Sequence, residues 1–296
     1  MTHARRPSGK EKGSPSKKRT VSLDPLFVDL DDGSIPFEIN EETIQHLRRN
    51  MAAWTTLIDR LSLRTKESET KFYVARAVLR RGVAHTLLSE WQAAALDLSQ
   101  VIAMRAGEAM TNTAYVYRAQ TYDGLGQDEA SMRDWTQVLM IIEHASSHPE
   151  RFSKELAAQG YAYRARLFCR QEDYKQAIAD CDRALAFHHG CAEAYSVRGR
   201  AYSLIGKWTA ALADCTKAIE LEGWSVHYYR RGLVHKQIGN YDQALADFEW
   251  ASQCEPENVL FRRERADLLM LRLVHMGVYT PSSSAFLGVN APHEEV

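Results

Sequence analysis

The chain has 296 residues, 45% apolar and 25% charged, the composition of a soluble globular protein long enough for one large domain or two ordinary ones. A formal net charge of −1 excludes a nucleic-acid binder that uses its whole surface, since such proteins carry a strong basic excess. No apolar run approaches the length that spans a bilayer and the polar N-terminus lacks the apolar stretch of a secretory signal, so a cytoplasmic protein without membrane attachment is expected.

Residues 1–20 carry seven Lys/Arg against one Glu, with Gly, Pro and Ser between them. Such a stretch cannot bury enough surface to offset its ordering entropy and is expected to be disordered. It is also the one stretch with the character of a nucleic-acid contact. Residues 22–42 reverse the sign, with acidic residues around Leu26, Phe27, Val28, Leu30, Ile35 and Phe37. The expected division is an extended segment over 1–39, a capping helix over 40–64, a repeat array over 70–273 and a flexible tail over 274–296.

The capping helix is predicted from Asn40, which offers a side-chain oxygen to free amides, and from Glu41 and Glu42 at the positive helix end. Ile44, Leu47, Met51, Trp54, Ile58 and Leu61 recur at steps of three and four and form one apolar stripe. The stripe is too short to specify a coiled coil and suits packing on the first repeat.

From about Thr70 to Leu273 one pattern returns. A small residue, the anchor, stands at Gly82, Ala119, Ala165, Gly199, Gly232 and Ala266, at intervals of 37, 46, 34, 33 and 34 residues. Three residues after each anchor comes a ring or a Leu: His85, Tyr122, Phe168, Tyr202, His235 and Leu269. Twelve after the first five stands Ala94, Ser131, Ala177, Ala211 or Ala244, at the start of a second helix. Later core positions there are Leu98, Trp135, Cys181, Cys215 and Phe248, then Val101, Val138, Ala184, Ala218 and Ala251. Turn residues separate the helices, as in Gly126-Gln127-Asp128, Gly206-Lys207-Trp208 and Gly239-Asn240-Tyr241. A period in this range marks hairpins that bury their apolar faces only by stacking. The 46-residue interval adds twelve residues, read as lengthened helices around a loop containing Pro149.

These residues resemble the tetratricopeptide repeat family over about two thirds of the chain. Arg231-Gly232, His235, Gly239-Asn240-Tyr241, Gln243-Ala244, Phe248, Ala251 and Pro256 match its pattern most fully. Residues 192–224 and 158–191 follow, with Gly223 and His189 where a proline is usual; 112–144 and 75–107 match less, and Ser89 replaces the turn glycine. The expected fold is all-α, an α-solenoid of about five stacked helix-turn-helix hairpins with a C-terminal capping helix. The resemblance implies a right-handed superhelix whose first helices line a groove for a peptide or helix of a partner.

An arginine precedes every anchor: Arg81, Arg118, Arg164, Arg198, Arg231 and Arg265. Sixteen residues beyond the first five lies an aspartate: Asp97, Asp134, Asp180, Asp214 and Asp247. These are expected to pair across each hairpin, guanidinium to carboxylate, as a structural clasp rather than a ligand ladder. Pro281 occupies the sixth offset, so the last unit reads as a single closing helix.

Inner positions lie three before, one after and four to five after the anchor. In the first unit they are apolar: Leu79, Val83, Thr86 and Leu87. The middle is basic, with Arg166, Arg170, Arg200, Lys236 and Arg263 around Tyr229, partly offset by Glu193 and Asp267. A row of this kind grips carboxylates or phosphates, so the expected ligand is an acidic or phosphorylated peptide or a free C-terminus. The subgroup that clamps the C-terminal Glu-Glu-Val-Asp of chaperones needs lysine and asparagine pairs, and Ala162, Ser196 and Tyr229 stand there instead.

No phosphate loop, zinc-protease motif or nucleophile elbow occurs, so no enzyme and no cofactor are expected. Five cysteines form no C-x-x-C pair, and Cys181 and Cys215 fall on core positions; buried thiols in a reducing compartment are expected, without a metal. The expected function is a protein-interaction scaffold or adaptor working through the groove. The alternative is a nucleic-acid-associated factor that uses residues 1–20, with the repeats as its regulatory module.

Overall fold

A computed structural model describes residues 41–62, 68–144 and 154–275. The expectations for residues 1–40, for the loop around Pro149 and for the tail beyond 275 lie outside the described residues.

The described residues form twelve helices and no strand. They are α1 (Glu41–Ser62), α2 (Ser68–Leu87), α3 (Trp91–Met104), α4 (Glu108–Gly124), α5 (Asp128–His144) and α6 (Lys154–Arg170), followed by α7 (Tyr174–Phe187), α8 (Ala192–Leu204), α9 (Trp208–Leu221), α10 (Ser225–Gln237), α11 (Tyr241–Cys254) and α12 (Val259–His275). They fall into two compact bodies, a larger one of α1–α9 and a smaller one of α10–α12.

In the larger body each first helix packs on the second helix that follows it: α2 on α3, α4 on α5, α6 on α7 and α8 on α9. Each second helix then packs on the next first helix, from α3 on α4 to α7 on α8, which stacks the hairpins in chain order. The smaller body holds one hairpin, α10 on α11, with α12 against α11. This is an all-α helical repeat.

The anchors explain the close approach. A methyl group on Gly232 would lie 2.7 Å from the Phe248 ring, so only a residue without a side chain fits there. The small residues facing the anchors are closed off completely: Ala94, Ser131, Ala177, Ala211 and Ala244 have 0% exposure. Leu98, Trp135, Cys181, Cys215 and Phe248 fill the layer beside them and are also buried.

One turn joins the two helices of every hairpin. The amide eight residues after the anchor donates to the carbonyl three after it: Glu90 to His85, Gln127 to Tyr122, Asp173 to Phe168, Lys207 to Tyr202 and Asn240 to His235, at 2.8–3.0 Å. This six-to-one bond needs a left-handed residue seven after the anchor. Gly126, Gly206 and Gly239 supply it with φ of 69°, 75° and 81°, while Ser89 and Glu172 adopt 60° and 62° despite their side chains.

The α1 stripe faces inward, with Leu47 and Ile58 buried and Trp54, Ile58 and Leu61 packed against Val74, Ala77, Val78, Leu79 and Val83 of α2. Leu79 and Val83 are therefore core beneath α1, and Thr86 is buried with its hydroxyl 3.0 Å from that of Thr121 on α4. The twelve extra residues lengthen helices on both sides of the 145–153 interval: α5 and α6 each have 17 residues, against 14 for α7 and 13 for α8. Cys169, Cys181, Cys191 and Cys215 are buried thiols and Cys254 is partly exposed. No described helix is long and apolar enough to cross a membrane.

Candidate functional site

All five arginine–aspartate pairs are formed, each with two parallel bonds. Nε donates to Oδ2 at 2.8 Å in Arg81–Asp97, at 2.7 Å in Arg118–Asp134, Arg164–Asp180 and Arg198–Asp214, and at 2.9 Å in Arg231–Asp247. Nη2 donates to Oδ1 at 2.7–2.9 Å in each. The five carboxylates are buried, which is tolerable because each accepts from a charged fork.

The third guanidinium nitrogen reaches the preceding helix in three cases. Nη1 of Arg81 donates to Thr55 on α1 at 3.1 Å, that of Arg118 to Ser99 on α3 at 3.0 Å, and that of Arg198 to Asp182 on α7 at 2.6 Å. The arginine thus ties its own hairpin to the helix before it, and α1 takes the position of a preceding second helix. With Asp214 and then Asp182 as acceptors, Arg198 is held well above its ordinary pKa, against the opposing effect of burial.

The residues around these arginines carry a feature that the sequence reading does not recognise. Arg118 stands 5.5 Å from the ring centroids of both Tyr115 and Tyr122. Arg164 lies between Tyr161 and Phe168, and Arg198 between Tyr195 and Tyr202. Rings three residues before and four after place both on the same helix face as the arginine, so the cation is sandwiched by stacking as well as clasped. The signal is present in the spacing, although only the later ring, three after the anchor, belongs to the repeat pattern as read there.

With the clasps accounted for, the charged side chains on the first-helix face are left. Arg166 and Arg170 of α6 both hydrogen-bond Asp123 of α4. Arg170 Nε also lies 3.0 Å from Asp128 at the start of α5, and Arg166 Nη1 lies 3.6 Å from Glu193 of α8. The Arg166 guanidinium stands 4.8 Å from the centroid of Tyr163, whose ring stacks on Trp135. Its Nε is buried without a hydrogen-bond partner among the described residues. Arg200 of α8 is exposed and pairs with no carboxylate among the described residues.

The basic row therefore differs from its expected form. Arg166 and Arg170 are occupied by the chain's own carboxylates, because Asp123 sits four residues after its anchor, on an inner position of the preceding hairpin. The inner-position rule reaches Asp123 only when it is extended to that hairpin as well as to the basic ones. In the smaller body Lys236 Nζ bonds Glu264 at 2.8 Å, and Arg263 lies 3.6 Å from Asp267, both exposed. Tyr229 packs at 4.9 Å from Phe261 and 5.8 Å from Phe248, serving the core of that body.

Residues 228–257 match the family model of the tetratricopeptide repeat. Comparison with curated proteins gives no match. Among solved structures, the chain is similar to a thermophilic TPR protein of Thermus thermophilus, TTC0263, with 19% identity and a TM-score of 0.51 over 66% of this chain and 99% of that one. It is also similar to the first TPR of Spaghetti (RPAP3) bound to an HSP90 peptide, with 21% identity and a TM-score of 0.38 over 40% of this chain and 94% of that one. The second TPR domain of human RPAP3 in complex with an HSP70 peptide gives 29% identity and a TM-score of 0.35 over 39% of this chain and 95% of that one. Stacked helical hairpins and a shared fold give this chain a tetratricopeptide-repeat architecture, and residues 228–257 are a repeat of that family.

Proposed function

We propose that the protein is an interaction scaffold that binds an acidic segment of a partner protein along the first-helix face of its larger body. The observation that carries this reading is the grip of Arg166 and Arg170 on one carboxylate, Asp123, with the exposed Arg200 on the next first helix. Two guanidinium groups converging on one carboxylate make a seat of the right charge and geometry for an acidic side chain or a phosphate. Arg200 is the open cation, and Asp123 holds the adjoining seat until a ligand of higher charge competes for it. The same five-fold clasp supports the scaffold reading, since it fixes the two helices of each hairpin and leaves the inner face as the variable surface.

Affinity capture with mass spectrometry, comparing wild type with Arg166→Glu/Arg200→Glu, tests the reading. Partners lost only from the double variant are ligands of this face. Survival of every partner removes the face from consideration.

A further inference from the structure

The sixth anchor has no second helix among the described residues. In the five hairpins the anchor is buried, the first helix ends five residues after it and the second begins nine after it; α12 instead stays helical through the place of the turn, to His275. Ala266 is exposed, and with it Val259 (67%), Met270 (39%) and Leu273 (38%), which share one stripe of the helix. The opposite stripe is the packed one, where Phe261, Glu264 and Leu268 meet α10 and α11. The clasp arginine is present as well, yet Arg265 has no carboxylate partner among the described residues.

We propose that this face of α12 is a docking site for an acidic amphipathic helix presented by a protein partner, which completes the sixth hairpin in trans. Continuity with the five established hairpin interfaces sets the form of the occupant. It lays a small residue over Ala266, apolar side chains against Met270 and Leu273, and a carboxylate into the fork of Arg265. Charge sets the sign: Arg263 and Arg272 are met by Asp267 and Asp242, while Arg262 and Arg265 have no carboxylate partner among the described residues, a basic remainder that an acidic helix complements. A second copy of this chain docking α12 on α12 would set the same basic remainder against itself, which disfavours it.

The probe is a helix-stapled peptide of residues Tyr241–Cys254, a second helix of this same protein that carries Asp242, Asp247 and Glu249. Stapling is needed because 14 residues are too few to hold a helix alone in water. Fluorescence anisotropy against the full chain is expected to show saturable binding. Asp247→Asn in the peptide or Arg265→Glu in the protein weakens it at least tenfold, and Ala266→Trp abolishes it. Asp247→Lys in the peptide recovers affinity for the Arg265→Glu protein. Unaltered circular-dichroism melts for both protein variants establish that the fold is intact. No saturable binding overturns the proposal, as does binding indifferent to Ala266→Trp. Binding seen only after deletion of residues 276–296, or a wild-type dimer that Ala266→Trp dissociates, also overturns it, because the chain then covers its own face.

Discussion

Arg198 holds Asp214 by two bonds, Nε to Oδ2 at 2.7 Å and Nη2 to Oδ1 at 2.9 Å, while its remaining nitrogen reaches Asp182 at 2.6 Å. One guanidinium therefore joins α7, α8 and α9. A pair of this kind need not exceed a well-packed apolar alternative, because desolvation offsets the attraction. Removing Asp214 is a different matter, since it leaves the half-buried Arg198 with the exposed Asp182 as its remaining carboxylate and its Nε and Nη2 without their acceptor. Asp214→Ala is expected to cost about 1–3 kcal/mol, read as a lower urea midpoint. Unchanged unfolding in both Asp180→Ala and Asp214→Ala contradicts the clasp.

The hairpin turns make a second prediction. Ser89 and Glu172 hold the left-handed backbone that glycine holds at the other three turns. A side chain in that region costs about 1 kcal/mol, so Ser89→Gly and Glu172→Gly are each expected to be neutral or stabilising by up to about 1 kcal/mol. A loss of melting temperature in both variants contradicts the reading. Ala at the same positions retains a Cβ and brings no gain, which separates backbone strain from side-chain contacts.

His235 takes the place over Arg231 that a Tyr or Phe takes over the arginines of three other hairpins. Burial lowers its pKa below the ordinary 6.5, Arg231 lowers it further and Asp247 partly opposes them; its Nδ1 is buried without a hydrogen-bond partner among the described residues. The folded protein thus favours the neutral ring, and the unfolded chain binds more protons in the interval below 6.5. The stability this group contributes is complete above pH 6.5 and declines as pH falls from there toward the folded-state value. His235→Phe is expected to flatten that part of the stability–pH curve, measured by urea unfolding between about pH 5 and 7. An identical slope in variant and wild type contradicts it.

The repeat was legible because its landmarks are set by close packing. Gly232 must lack a side chain against Phe248, and Ala244 must be small to reach it, so both positions are written into the spacing. The clasp was legible for the same reason, since a fixed hairpin geometry places a fixed offset of sixteen residues face to face. The binding face was less so. Whether Arg166 is open or occupied depends on Asp123, 43 residues earlier, and on Glu193, 27 later, brought together by stacking between hairpins. No periodicity within one hairpin encodes that meeting. The ring sandwich around Arg118 lay between these cases, since its spacing was visible while its stacking became plain only with the geometry.

A seat for an acidic partner segment at Arg166, Arg170 and Arg200 has consequences that binding can read. The most direct measurement is the equilibrium affinity of one captured acidic partner peptide for wild type, Arg200→Glu and Asp123→Asn, with Arg133→Glu on the exposed surface of α5 as control. Such a seat requires at least tenfold weaker binding for Arg200→Glu, tighter binding for Asp123→Asn because the internal competitor is gone, and no change for the control. Equal affinities across all four proteins would contradict it.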